Sequence, residues 1–386
     1  MKRIIFCTFL AGVFALKGMA QQGDAMLRIL KDELRTERAE LQKSPDKPYF
    51  MSYRVEDSYQ VDITSAFGST MNADSSRTRS FVPQIRLGDM KLDNFKYATQ
   101  GGTTSGKPEK EYVQLLPLDC SSPDAVRTAI WKETLRRYNI AQSRYKLYKA
   151  KALTSVASED TTGCFSPAPK EVYYEAPADV RSYQIGVEKW AERLNRVSAA
   201  FKSFPQLTVG EASMSYTVKR EWIVNTDGTE IAQNRIGARI ILSASLNTSD
   251  GMQLPLNKSY LAYQLDSLPS DDVMIADVKD MITRLRALQQ APVANPYTGP
   301  AILSGAASGV FFHEIFGHRL EGHRLKEGGE TFKNMVGKSI LPATFNVMSD
   351  PTLSHYAGSD MNGHYLYDSE GVKAHRVVNV DKGVLK

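Results

Sequence analysis

The residues best equipped for chemistry lie together near the C-terminal end, in Phe312-His313-Glu314-Ile315-Phe316-Gly317-His318-Arg319-Leu320-Glu321-Gly322-His323. All six histidines of this 386-residue chain fall in its last fifth, and three of them stand in that segment. Imidazole is a common transition-metal ligand, and a glutamate beside the first of two helical histidines suits activation of water at a zinc ion. His313 and His318 are therefore the candidate metal ligands and Glu314 the candidate general base. The expected cofactor is Zn2+ or another divalent transition metal, and the chemistry is hydrolysis of an amide bond.

Spacing constrains how this can work. Three residues separate Glu314 from His318, so the histidines are five positions apart. On a regular α-helix that puts their side chains roughly 140° apart, too divergent to meet one ion at the roughly 2.0 to 2.1 Å of a zinc–nitrogen bond. A π-turn near Phe316-Gly317 would bring them to nearly one face, and Gly317 lowers the resistance to such a distortion. His323 lies about 15 Å from His313 along a continuing helix and reads as a nearby polar residue. Glu321 and Glu330 read as surface carboxylates, with orientation of the imidazoles as their functional alternative.

The elements that must position this segment are legible from periodicity. The apolar run Gly309-Val310-Phe311-Phe312 should bury a helix at about 305–326, to which Tyr297–Leu303 delivers the chain in extended form. Upstream, an amphipathic helix at 24–43 precedes alternating strand patterns over 49–100. Ser122-Pro123-Asp124 opens a long helix to about Leu153, with Val126, Ile130, Leu135, Tyr138, Ala141, Tyr145 and Tyr148 as its apolar stripe. Its basic side, including Arg127, Arg136, Arg137 and Arg144, reads as solvated. A helix at 183–203, hairpins turning at Asn225–Gly228 and Ser249–Gly251, and a helix at 271–288 capped by Ser270 complete the order. The fold class expected is α+β: an N-terminal helix and sheet domain over 21–205, then residues 206–386 forming a β-rich C-terminal domain that carries the metal-motif helix.

Met1-Lys2-Arg3 followed by an apolar run from Ile4 to Leu16, with Gly18 and Ala20 near its end, has the pattern of a secretory signal peptide over 1–20. The mature protein is expected to begin at Gln21 and to be periplasmic or secreted. Removing Lys2, Arg3 and Lys17, and no acid, takes the formal charge from +5 to +2. That balance argues against nucleic acid as a partner, and no later segment is long and apolar enough to make the membrane one. Cys120 and Cys164 remain after processing and are expected to form a disulfide in an oxidising compartment.

Three stretches together resemble the TldD/PmbA family of metalloproteases, also called modulators of DNA gyrase. They are Tyr297-Thr298-Gly299-Pro300, the extended motif from His313 to Gly322, and Tyr367-Asp368-Ser369-Glu370-Gly371-Val372 leading to Asp381–Leu385. The resemblance covers roughly residues 180–386. It implies that His313 and His318 bind the metal, that Glu314 is the base, and that peptides or unfolded polypeptides are cleaved. It also implies a homodimer, or a heterodimer with a TldE/PmbA-like subunit that lacks the motif. The family's third ligand is a cysteine downstream of the Asp-x-Glu-Gly segment, which places it beyond Lys386 and implies that the sequence is truncated at its C-terminal end. If the ligand instead lies within residues 21–386, His355, His364, Glu321 and Asp368 are the candidates. The alternative from another class is a non-catalytic metal- or peptide-binding subunit, or an inactive fragment lacking that third ligand.

Overall fold

A computed structural model describes residues 23–95, 113–119, 122–154, 163–322 and 332–386. The expected signal peptide and the Cys120 half of the expected disulfide lie outside the described residues.

The architecture is α+β, dominated by one strongly twisted sheet of long strands. Strands β1 (Pro48–Ala66) and β2 (Ser69–Leu87) form an antiparallel hairpin, as do β5 (Leu207–Asn225) and β6 (Glu230–Asn247). The first hairpin closes over Phe67 and Gly68, both at positive φ (46° and 81°), the two-residue turn whose twist matches its strands. At the second turn the Asn225 side chain accepts from the backbone N–H groups of Asp227 and Thr229, each at 3.0 Å. β1 pairs with β5 from Ser52 to Ala66, so strands from both sides of residue 205 share one sheet. Its order is β3 (Gln114–Leu115), β2, β1, β5, β6, β4 (Val172–Tyr174), and β7 (Gln253–Ala262) also pairs with β6.

Alternation along these strands sends one set of side chains to a helix-covered face, and that face holds two separate cores. Tyr53, Val55, Phe81, Ile85, Trp222 and Val224 pack under α1 (Ala25–Leu41) and α2 (Pro123–Thr154). Val61, Ile63, Met214, Tyr216, Ile240 and Leu242 pack under α3 (Val187–Ala199) and α4 (Asp271–Gln290). Asp24 caps α1 by accepting from the Leu27 N–H at 3.0 Å, and Ser270 caps α4. In α2, Val126, Ile130, Tyr138 and Ala141 are buried as the stripe requires, but Leu135 is exposed. Thr134 takes the inward position instead, bonded to the Tyr53 hydroxyl at 2.8 Å. Part of the basic side is engaged within the protein: Arg127 donates to Glu33, and Arg136 and Arg137 both donate to buried Glu133.

The C-terminal segment docks on the opposite face of the sheet. Tyr367 packs on Ile223 and Ile231, and its carbonyl accepts from Gln233 at 3.0 Å. Gly371, at φ 81°, sits so close that a Cβ there would lie 3.0 Å from the Thr229 methyl. The Tyr263 hydroxyl donates to the Met361 carbonyl at 2.6 Å, a second tether. Among the described residues no helix is long and apolar enough to cross a membrane.

One buried acid makes stability depend on pH. Glu37 is 6% exposed, and burial first, then the carboxylates of Glu33 and Glu40, push it from 4.5 up to about 7. The folded state therefore holds a proton that the unfolded state releases, and this group's contribution to stability is fullest below pH 4.5 and falls as pH rises through about 7. Glu37→Gln should flatten that fall in denaturant melts. A wild-type protein that gains stability across the window, with the variant following it, would contradict this.

Candidate metal centre

Helix α5 runs from Gly305 to Ile315 and buries none of its own residues. The apolar run expected to bury it does not, since Val310 and Phe311 are exposed. The anchor comes one residue after the helix. Phe316 is 4% exposed and packs with Val380 and Leu385, joined by Phe312, Leu320, Phe332 and Val347. Val347, Val380 and Leu385 come from a small antiparallel sheet in which β11 (Val377–Asp381) lies between β8 (Val347–Ser349) and β12 (Val384–Leu385). The rings of Phe312 and Phe316 stack at 4.8 Å, so the side of α5 that they mark faces the small sheet.

Burying Phe316 breaks the helix. Its backbone turns to φ −124° and ψ −53°, and a 3-10 turn follows over Gly317–Leu320. The helix expected to reach 326 thus ends at Ile315, and no π-turn forms. A tighter turn does the same work: it redirects His318 back over the last turn of α5 rather than widening the helix. Gly317 has no positive φ, and an added Cβ would meet only the His313 ring, at 3.8 Å from Nδ1. Neither backbone angle nor space therefore demands a glycine at this position.

The break brings the three expected residues together. Ligand atoms of His313, Glu314 and His318 lie within 4.8 Å of one another, and the two imidazole centroids are 4.5 Å apart. His318 Nε2 is 3.7 Å from one Glu314 oxygen, and His313 Nε2 is 4.0 Å from the other. On the far side of the ring, His318 Nδ1 is 2.7 Å from Glu321 Oε1. That bond favours the tautomer with its proton on Nδ1, which leaves Nε2 as the basic nitrogen facing Glu314. The two imidazoles, one ring already oriented, fit a divalent transition metal, with the Glu314 carboxylate beside them for proton transfer. His313 and Glu314 remain 62% exposed, and His318 33%.

The other ligand candidates are engaged elsewhere. His355 Nδ1 is 2.5 Å from Asp360 across the hairpin of β9 (His355–Tyr356) and β10 (Ser359–Asp360). His364 Nδ1 is 2.8 Å from the Pro351 carbonyl, and Asp368 accepts from the backbone of Glu370 and Val372. Among the described residues only Glu321 of those four touches the cluster. His323 and Glu330 lie outside the described residues. The sequence reading favoured Glu321 as a surface carboxylate with orientation as its alternative, and the bond to His318 favours the alternative; what it did not reveal was Phe316 as the anchor, since only the small sheet shows where that ring goes.

Residues 296–386 match the model of the PmbA/TldA metallopeptidase C-terminal domain. The C-terminal segment is thus similar to the TldD/PmbA family. An Archaeoglobus fulgidus metalloprotease is 32% identical over 85 residues, 22% of this chain and 19% of that protein. A Methanothermobacter thermautotrophicus metalloprotease is 26% identical over 166 residues, 42% of this chain and 34% of that protein. The matched part thus spans about a third or less of these relatives. The fold is that of TldE from Thermococcus kodakarensis, with a TM-score of 0.54 at 15% identity, covering 94% of this chain and 69% of that one.

Two substitutions separate anchoring from orientation. Glu321→Ala should weaken divalent-metal binding about 10- to 100-fold, the usual effect of losing a carboxylate behind a ligating imidazole. Phe316→Ala should do at least as much, by letting the turn relax, while the large sheet melts unchanged. Competition with a chromogenic chelator measures both, and wild-type affinity in either variant would contradict the role given to that residue.

Proposed function

We propose that this protein is the motif-bearing subunit of an exported, zinc-dependent peptidase that hydrolyses peptides or unfolded polypeptides. The observation that carries the proposal is the convergence of His313, Glu314 and His318, with His318 oriented by Glu321. His313 and His318 would hold the ion, the latter through Nε2. When bound, it supplies Lewis acidity that polarises an amide carbonyl and makes water a far stronger acid. Glu314 takes the proton of the attacking water and returns it to the leaving amine, for which its carboxylate stands between the two imidazoles. The match of residues 296–386 to a metallopeptidase domain and the likeness to relatives named metalloproteases support the reaction class. The likeness to TldE supports pairing with a TldE/PmbA-like subunit, or with a second copy.

Glu314→Gln in the full-length protein should leave metal content near one ion per subunit while lowering peptide hydrolysis by at least about 10²-fold. His313→Ala should lose metal and activity together. Were Glu314→Gln to hydrolyse peptides at the wild-type rate, the base assignment would fail; were neither substitution to matter, the protein would be the non-catalytic subunit.

Export rests on the charged start and apolar run of residues 1–20. Intact-mass analysis of protein recovered from outside the cytoplasm should show an N-terminus at Gln21. Recovery only from the cytoplasm with residues 1–20 attached would remove the assignment.

A further inference from the structure

Between the two cores on the helix-covered face runs a row of charge. Asp57 on β1 lies directly opposite Arg79 on β2 and Arg220 on β5, and Arg220 lies opposite Asn234 on β6. The row lies between the two helix-covered cores, and a cavity of about 590 Å³ borders it, within the size range of small-molecule sites. Asp57 accepts from Arg79 Nε at 2.9 Å and from Arg77 Nε at 2.8 Å. Arg220 donates through one terminal nitrogen to Asn234 at 2.9 Å and through the other to Asp24 and the Glu175 carbonyl, both at 3.0 Å.

One donor in this network is unanswered. Arg220 is 4% exposed, and its Nε–H has no acceptor among the described residues, although the side chain lines the cavity. A buried guanidinium donor left without an acceptor is costly, and the side chain that carries it forms part of the cavity wall. The start of α1 also lines the cavity, with the positive end of a 17-residue helix at Ala25 and Met26. The walls are aromatic: Arg220 lies 5.5 Å from the Tyr174 ring centre and 5.2 Å from that of Trp222, and Arg77 lies 5.4 Å from that of Tyr183. The lining sets Arg77, Arg79 and Arg220 against Asp24 and Asp57, three cations to two anions, an excess of one positive charge that a monoanion balances.

We infer that this cleft binds a monocarboxylate carried on a flat apolar group, with the carboxylate at Arg220 and the flat group among the three rings. The site is built from the large sheet and does not rest on the peptidase reading. A free aromatic acid and the C-terminus of a peptide share this chemistry.

Calorimetric titration of the full-length protein with N-acetyl-L-phenylalanine, its amide, a tripeptide ending in phenylalanine, and inorganic phosphate tests the site. The free acid should bind one per subunit, at least about tenfold tighter than the amide, with phosphate silent. If the tripeptide matches or exceeds it, the source is a peptide end; if the tripeptide fails, it is a free acid. Arg220→Lys, which keeps the charge beside Asp24 but loses the planar donor, should weaken binding at least about tenfold. Arg77→Gln, at the outer edge, should weaken it too and decides the matter if Arg220→Lys does not fold. No saturable binding of either acid, equal binding of acid and amide, or wild-type affinity in the folded variants would overturn the inference.

Discussion

A phenyl ring that has to be buried cannot stay on a helix that is exposed all round, and that conflict at Phe316 organises the C-terminal segment. Helix α5 offers no buried side chain of its own, whereas β11 and β12 present Val380 and Leu385. Satisfying Phe316 therefore ends the helix and starts the 3-10 turn. Fully burying a ring of this size is worth about 1.5 to 3 kcal/mol, more than the one or two helical hydrogen bonds that the break gives up. The imidazoles meet as a consequence. The same five-residue spacing on an uninterrupted helix would have left His318 on another face.

The small sheet is held in turn by the large one. Tyr367, Gly371 and the contacts of Tyr263 pin the C-terminal segment to the face of the large sheet that carries no helices. That leaves the helix-covered face as a separate surface, where two apolar cores flank the belt of Asp57, Arg79 and Arg220. Strands of 18 to 19 residues explain the division, because each outruns a single helix pair and must be covered twice. The polar belt occupies the gap.

Much of this was legible in the sequence. Alternation gave β1 and β2, turn chemistry at Asn225–Gly228 gave the second hairpin, and Ser270 marked a helix start. The candidate site residues were named by their types and spacing alone. What periodicity did not carry was long-range: that β1 would pair with β5 across more than a hundred intervening residues, that Thr134 rather than Leu135 would turn inward, and that Phe316 would leave its helix. Each depends on a partner distant in sequence. The charged belt was invisible for the same reason, since Asp57, Arg79 and Arg220 are ordinary strand residues until the register aligns them.

In the proposed site, the helix break at Phe316 lets two imidazoles five residues apart share one ion. X-ray absorption at the zinc edge of the full-length, zinc-loaded protein measures this, because multiple scattering from imidazole rings counts them. Two imidazole nitrogens at about 2.0 to 2.1 Å are expected. A shell with one imidazole or none would mean that the break does not bring both rings to the ion.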